Sequence, residues 1–229
     1  MGIFIDALSI VSASFFGSVF KKRIKFSNFA ALGIGIMIIS IVGFIENIFN
    51  IEAMALKSDD LLVVVFSLII GIALGEAMQL ETKINNMSSL GKKGFSEFID
   101  ASIFFGVGGM QICGPLMLAT MGDNSQLLLK SIIDFPFALM FGITYGKKVA
   151  LSAVPVAFGQ LIILILAFLS KDILNTTVIK QLCAMGYIIL FFSGFNLICE
   201  NKNKINNVNM IIGIFIIILY NIIANIFVA

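Results

Sequence analysis

The sequence predicts an all-α fold, a polytopic bundle of about eight transmembrane helices (seven to eight), and three observations carry that prediction. Of 229 residues, 59% are hydrophobic and 12% charged. Mean hydropathy is +1.08, far above what a water-soluble core requires. Apolar runs recur along the chain, separated by short breaks rich in charge, Asn, Ser and Gly. A span takes about 20 apolar residues, so eight spans consume roughly 160 positions and leave no room for a soluble domain. These proportions exclude a cytosolic enzyme, a secreted disulfide scaffold and a nucleic-acid binder, whose basic residues would have to gather on one face. Net charge is only +2.

The first segment, 3–20, is followed rather than preceded by its positive charges (Lys21, Lys22, Arg23, Lys25), so it reads as a retained span and not as a signal peptide. Further apolar runs predict helices over 28–49, 61–80, 98–121, 127–146, 150–170, 176–198 and 208–228. The fourth is irregular. It holds Gly106, Gly108, Gly109, Gly114 and Pro115 within continuous hydrophobicity, which points either to a broken helix facing inward or to close helix packing on small residues. With the N-terminus outside, eleven Lys and Arg fall on the inner side and four outside; a re-entrant fourth segment makes it ten and five. The eight-segment chain reads as one domain, 1–229.

The two halves echo each other. Asp6, Phe16-Gly17 and Lys21-Lys22 are matched by Asp134, Phe141-Gly142 and Lys147-Lys148, and Gly75 with Glu81 by Gly194 with Glu200. The pattern suggests two three-helix repeats, 1–87 and 127–207, with 98–121 as a broken or re-entrant linker and 208–229 as a terminal span. Repeats of this kind are common in secondary transporters, which bind substrate at the repeat interface.

Chemistry must come from carboxylates and amides, because the chain has no His. Its three cysteines lie scattered in apolar runs and read as small buried hydrophobes. An ionisable group within a span costs about 2.5–3.5 kcal/mol, which makes each a functional candidate. Asp134 leads. It shares a helical face with Ser131 and with Lys130, which would at minimum neutralise it as an i,i+4 pair. Asp6, its counterpart, lies near the N-terminus where hydration is the alternative reading. Glu76 follows a Gly71/Gly75 pair suited to close helix approach. Gln111 beside the Gly108–Gly109 break, Gln160 and Asn196 offer donors and acceptors in a dry bundle. Without His the familiar nucleophile and base pairs are missing, and no phosphate-binding loop is present. No catalytic or metal-ligating residues are expected, and the protein is not expected to be an enzyme.

Several stretches resemble the bacterial inner-membrane family of unknown function typified by YdfK and YqgA: Gly75-Glu76 with Glu81, Phe105 to Met110, Lys130 to Asp134, Val149 to Val156, and Gly194 to Leu197. The similarity covers nearly the whole chain. It implies a multi-pass protein of the cytoplasmic membrane with a transport-like role. The chain departs from the family pattern at Asp6, where Asn is more usual, and at Phe135-Pro136, which replace a small residue after Asp134.

Together these readings predict a small ion-coupled transporter moving a small solute or ion across the bacterial inner membrane. Its site is expected to comprise Asp134, Ser131, Gln160, Asn196, Gln111, Gly108, Gly109, Asp6 and Glu76. No cofactor is expected beyond Na+ or H+ as coupling ion. The expected partners are lipid, the solute or ion and a second copy in a homodimer, with no nucleic acid. The alternatives are a scaffold that recruits a partner through the 81–97 loop, and an uncoupled ion channel.

Overall fold

Inside a bilayer no water is available to backbone N–H and C=O groups, so apolar segments satisfy them internally as helices. The computed structural model describes residues 1–20, 29–52, 55–57, 60–80, 82–83, 96–106, 109–170, 174–199 and 205–228. Its helices are α1 (Gly2–Phe20), α2 (Phe29–Ile48), α3 (Leu61–Ala77), α4 (Ser96–Gly106), α5 (Met110–Met121), α6 (Ser125–Tyr145), α7 (Ala153–Leu169), α8 (Thr176–Ile198) and α9 (Asn207–Val228). A 3-10 turn, Lys147–Ser152, leads into α7. In the α2–α3 connection β1 (Asn50–Glu52) pairs antiparallel with β2 (Ala55–Lys57), Asn50 opposite Lys57.

Helix occupies all eight apolar segments, but among the described residues only six helices are long and apolar enough to cross a membrane: Gly2–Phe20, Ala30–Ile48, Ser125–Tyr145, Lys147–Leu169, Thr176–Ile198 and Asn207–Ile226. Among the described residues six helices are thus candidate spans, where the sequence reading expects about eight. Helix α3 has 17 residues. The fourth segment is broken into α4 and α5, of 11 and 12 residues. At 1.5 Å per residue each half is about 17–18 Å long, well short of a hydrocarbon core of about 30 Å. Gly109, Gln111, Cys113, Gly114, Pro115 and Leu116 are buried at the start of α5, so this half of the segment packs against protein. Gly122, in the left-handed region at φ 71°, ends α5 with its N–H on the Leu118 carbonyl.

The chain forms two compact units that interleave along the sequence: unit 1 is Met1–Phe29 with Lys83–Leu169, and unit 2 is Ala30–Thr82 with Ser170–Ala229. Each draws helices from both halves of the chain.

In unit 1, α1 packs along α6 more extensively than any other pair of elements. Two glycines make this approach possible. A Cβ on Gly17 would strike the Leu139 carbonyl, and one on Gly142 the backbone of Ser14. The helices whose residues echo one another in the sequence thus lie side by side. The outward faces are apolar, with Phe4, Leu8, Phe15, Phe16 and Val19 exposed on α1 and Phe158, Ile165, Leu166 and Phe168 on α7, as lipid requires.

In unit 2, α8 is the inner helix, two-thirds of it buried (67%). Gly194 meets Gly33 of α2, and Tyr187 lies against Gly43. Helices α3 and α9 cross where a Cβ on Gly71 would sit 2.5 Å from the Gly213 nitrogen. Asn175 caps α8 by accepting from the Val178 N–H at 2.9 Å.

Candidate functional site

The polar centre of unit 1 is built from α6 outward. One helical turn separates Lys130 from Asp134, and the Lys130 ammonium donates to Asp134 Oδ2. The same ammonium lies 3.0 Å from Asp6 Oδ2, carried in by α1. All three are buried: Asp6 is 0% exposed, Lys130 3% and Asp134 7%. The α1–α6 register that delivers Asp6 is held by two hydrogen bonds. Ser9 Oγ donates to the Ser131 carbonyl at 2.7 Å, and the Gly2 N–H to Asn124 Oδ1 at 3.3 Å.

Helices α5 and α7 complete the centre with amides. Gln160 Nε2 donates to Asp6 Oδ2 at 2.7 Å and to Gln111 Oε1 at 3.1 Å. Gln111 Nε2 in turn donates to the Val156 carbonyl at 2.8 Å. Both glutamines are buried, Gln160 fully. A continuous polar chain therefore runs from the α7 backbone through Gln111 and Gln160 to Asp6, Lys130 and Asp134. Two atoms in it have no partner among the described residues: Asp6 Oδ1 and Gln160 Oε1. A buried acceptor left unmade costs about 1–3 kcal/mol, more when charged.

Two carboxylates facing one ammonium leave a net charge of −1 if every group is ionised. In a low-dielectric interior such an excess is expensive unless a cation balances it. The arrangement is suited to holding one small cation or proton. It does not resemble a multidentate metal site: among the described residues no three His, Cys, Asp or Glu side chains gather to hold a metal.

Of the residues expected at the site, Asp134, Asp6, Gln160 and Gln111 meet in unit 1. The reading of Asp6 as a hydrated terminal residue is corrected, because α1 lies along α6 and leaves it no exposure. Ser131 is buried beside the cluster, yet its hydroxyl serves the Leu128 carbonyl at 2.7 Å; its part is to fix the helix register. Gly109 is buried just before α5, while Gly108 lies outside the described residues. Asn196 and Glu76 belong to unit 2. Asn196 closes the α8–α9 connection, accepting from the Ile205 N–H at 2.7 Å and donating to the Ile205 carbonyl at 2.6 Å; Glu76 is exposed. Most of the 81–97 loop lies outside the described residues. Cys113 and Cys183 are buried and Cys199 half-buried, none of them in a disulfide.

Sequence reasoning underrated Lys130, treating it as a partner for Asp134 alone. Its ammonium also reaches Asp6, 124 positions away. The available signal was a lysine set within Leu and Ile, four residues before an acid.

A family model described as a protein of unknown function, DUF554, matches residues 1–222. An uncharacterized membrane protein, YdfK, of Bacillus subtilis (strain 168) is 26% identical over 211 residues, 90% of each chain. An uncharacterized protein, YqgA, of Escherichia coli (strain K12) is 22% identical over 224 residues, 88% of each. No solved structure matches. The apolar helices and these relatives make this a multi-pass membrane protein, and the chain belongs to the DUF554 family.

Proposed function

We propose that the protein is a small secondary transporter of the bacterial cytoplasmic membrane, coupling movement of a small solute or ion to a cation bound in unit 1. The observation that carries this reading is the buried cluster of Asp6, Asp134 and Lys130, two carboxylates on a single ammonium. Buried charge of this kind adds nothing to stability that apolar packing would not supply more cheaply, and inside membranes it marks ion pathways. The broken helix supports the same reading. Discontinuous helices are the usual source of ion and substrate contacts in transporters, and α5 contributes Gln111 to this polar chain. Occupancy of the cluster changes its charge, which provides the differential affinity for two helix arrangements that any coupled movement requires. The chain acts without a cofactor and is not an enzyme.

The test is reconstitution of the purified chain into liposomes, with H+ or Na+ gradients imposed across mixtures of small metabolites. Saturable, gradient-driven flux is expected in the wild type and is lost in Asp134→Asn, which still inserts. Flux that rises linearly with concentration assigns an uncoupled channel instead. No flux under any gradient, together with a melting temperature indifferent to ions and solutes, overturns the transport reading.

A further inference from the structure

Two buried acceptors in unit 1 have no donor, and they lie on the two members of one hydrogen-bonded pair. Gln160 and Asp6 are joined by Nε2–H to Oδ2 at 2.7 Å, while Asp6 Oδ1 and Gln160 Oε1, each on the same carbon as the joined atom, are both unpartnered and both fully buried. A carboxylic acid and a primary amide bond in two places at once: the amide N–H to the acid carbonyl, and the acid O–H to the amide oxygen. Here the first bond is made, and the two oxygens that the second would join are the two left without a partner.

From this geometry we propose that the ion bound by unit 1 is a proton, carried on Asp6 Oδ1 and donated to Gln160 Oε1. The inference deepens the transport reading by naming its ion. Protonation forms one O–H bond on Asp6, takes the proton from water and releases it by the same route; nothing is oxidised or reduced. The cluster changes from −1 to neutral. Asp6 Oδ2 becomes a carbonyl oxygen that accepts from Gln160 and from Lys130, and Asp134 remains the carboxylate paired with the ammonium. Both orphaned acceptors are satisfied by a single hydrogen.

The surroundings of Asp6 favour a proton over a metal cation. From α6 it faces Lys130 and Asp134, and from α7 only the neutral Gln160. Lys147 and Lys148 of the 3-10 turn are exposed, and α1 bears no other ionisable side chain. Hard cations such as Ca2+ and Mg2+ take about six or more oxygens, whereas the acid–amide pair offers two. The third unpartnered buried atom of unit 1, the Ser14 hydroxyl, stands eight residues along α1, about 12 Å away along the axis, too far to join them.

Infrared spectroscopy of the purified full-length protein in nanodiscs, titrated with pH, tests this directly. The wild type is expected to show a protonated-carboxyl carbonyl band that titrates away as pH rises. Asp6→Asn loses the band, yet keeps the fold, since its amide N–H supplies the missing donor to Gln160 Oε1. Asp134→Asn also loses it, because one carboxylate then suffices for Lys130. Gln160→Leu retains a band, moved to higher frequency by loss of the amide partner.

Absence of the band in wild type, or its persistence in Asp6→Asn, overturns the proposal, and a band unmoved in Gln160→Leu overturns the Asp6 assignment and places the proton on Asp134. Melting curves in NaCl, LiCl and choline chloride at equal ionic strength are expected to coincide; a Na+-specific rise that Asp6→Asn abolishes overturns it in favour of a metal cation. The transport reading fails separately. A band without gradient-driven flux leaves the proton site standing, and Na+-driven flux without a band removes the proton site alone.

Discussion

Unit 1 and unit 2 are built from the same kind of apolar helix crossing on glycines, and they bury different chemistry. Among the described residues, unit 1 buries Asp6, Lys130 and Asp134 with Gln111 and Gln160, whereas unit 2 fully buries only the neutral Ser40, Ser67, Gln181 and Asn209. The unit 2 network starts at Asp60, half-buried at the N-terminus of α3. Gln181 Nε2 donates to Asp60 Oδ1 at 2.7 Å, and Asn221 Nδ2 donates to Gln181 Oε1 at 2.7 Å. In this chain of amides each donor meets an acceptor, and the charge sits at a helix end. In unit 1 the charges sit inside the helices, past their first turns, and both members of one bonded pair, Asp6 and Gln160, leave an acceptor unmet, where unit 2 leaves one neutral acceptor, Asn209 Oδ1. Helix association in lipid needs only the first pattern; the second has a cost that packing does not explain, which is why function is assigned there.

The largest effect expected from that contrast is at Lys130. Lys130→Met strands two carboxylates in the interior, and breaking a buried pair this way costs about 3–5 kcal/mol. Thermal melts in detergent at neutral pH are expected to show a protein barely folded, with most stability restored when Asp6→Asn and Asp134→Asn are added. Failure of that rescue would mean that the Lys130 ammonium does more than balance these two carboxylates.

Crossings made of backbone should cost the same in both units. Gly142→Leu drives a side chain into Ser14 of α1 and Gly71→Leu into Gly213 of α9; overpacking of this kind costs about 1–3 kcal/mol. Similar falls in melting temperature for the two variants are expected, and a much larger loss for Gly142→Leu would tie the charge cluster to the crossing itself.

Gln181→Leu sharpens the comparison from the neutral side. It unpairs Asp60 and Asn221, and interhelical hydrogen bonds in membrane proteins are worth about 1 kcal/mol. The smallest effect belongs to Asp123, outside the spans, which accepts from the Ser125 N–H at 2.8 Å. The Ser125 hydroxyl, and after it that amide, hold the Asp123 carboxyl below its ordinary value. Its contribution is therefore present above the ordinary carboxylate range and disappears as pH falls through the depressed value. Asp123→Ala should lower stability slightly at neutral pH and not at all in acid, as parallel melts would register.

Much of this was legible in the residues. The spans could be read because apolar length is a one-dimensional property, and the break at Gly106 to Gly109 because glycine and proline act locally on the backbone. Asp134, Gln111 and Gln160 stood out as polar residues that lipid would not tolerate. The pairing of Asp6 with Lys130 was harder to see, since a position near the chain end reads as wet unless a second helix covers it. Asn196 illustrates the converse. An amide inside an apolar run attracts notice, but this one bonds backbone nine residues ahead, a local role that periodicity does not distinguish from a binding role.

The sequence by itself determined that the chain lives in a membrane, where its helices run and that carboxylates and amides must carry its chemistry, because each follows from composition and from spacing along a single helix. The tertiary structure decided which of those polar groups share a site. That depends on the glycine crossing of α1 and α6 and on the side-by-side placing of α5 and α7, contacts between residues 45 to 154 positions apart whose register no stretch of sequence encodes alone.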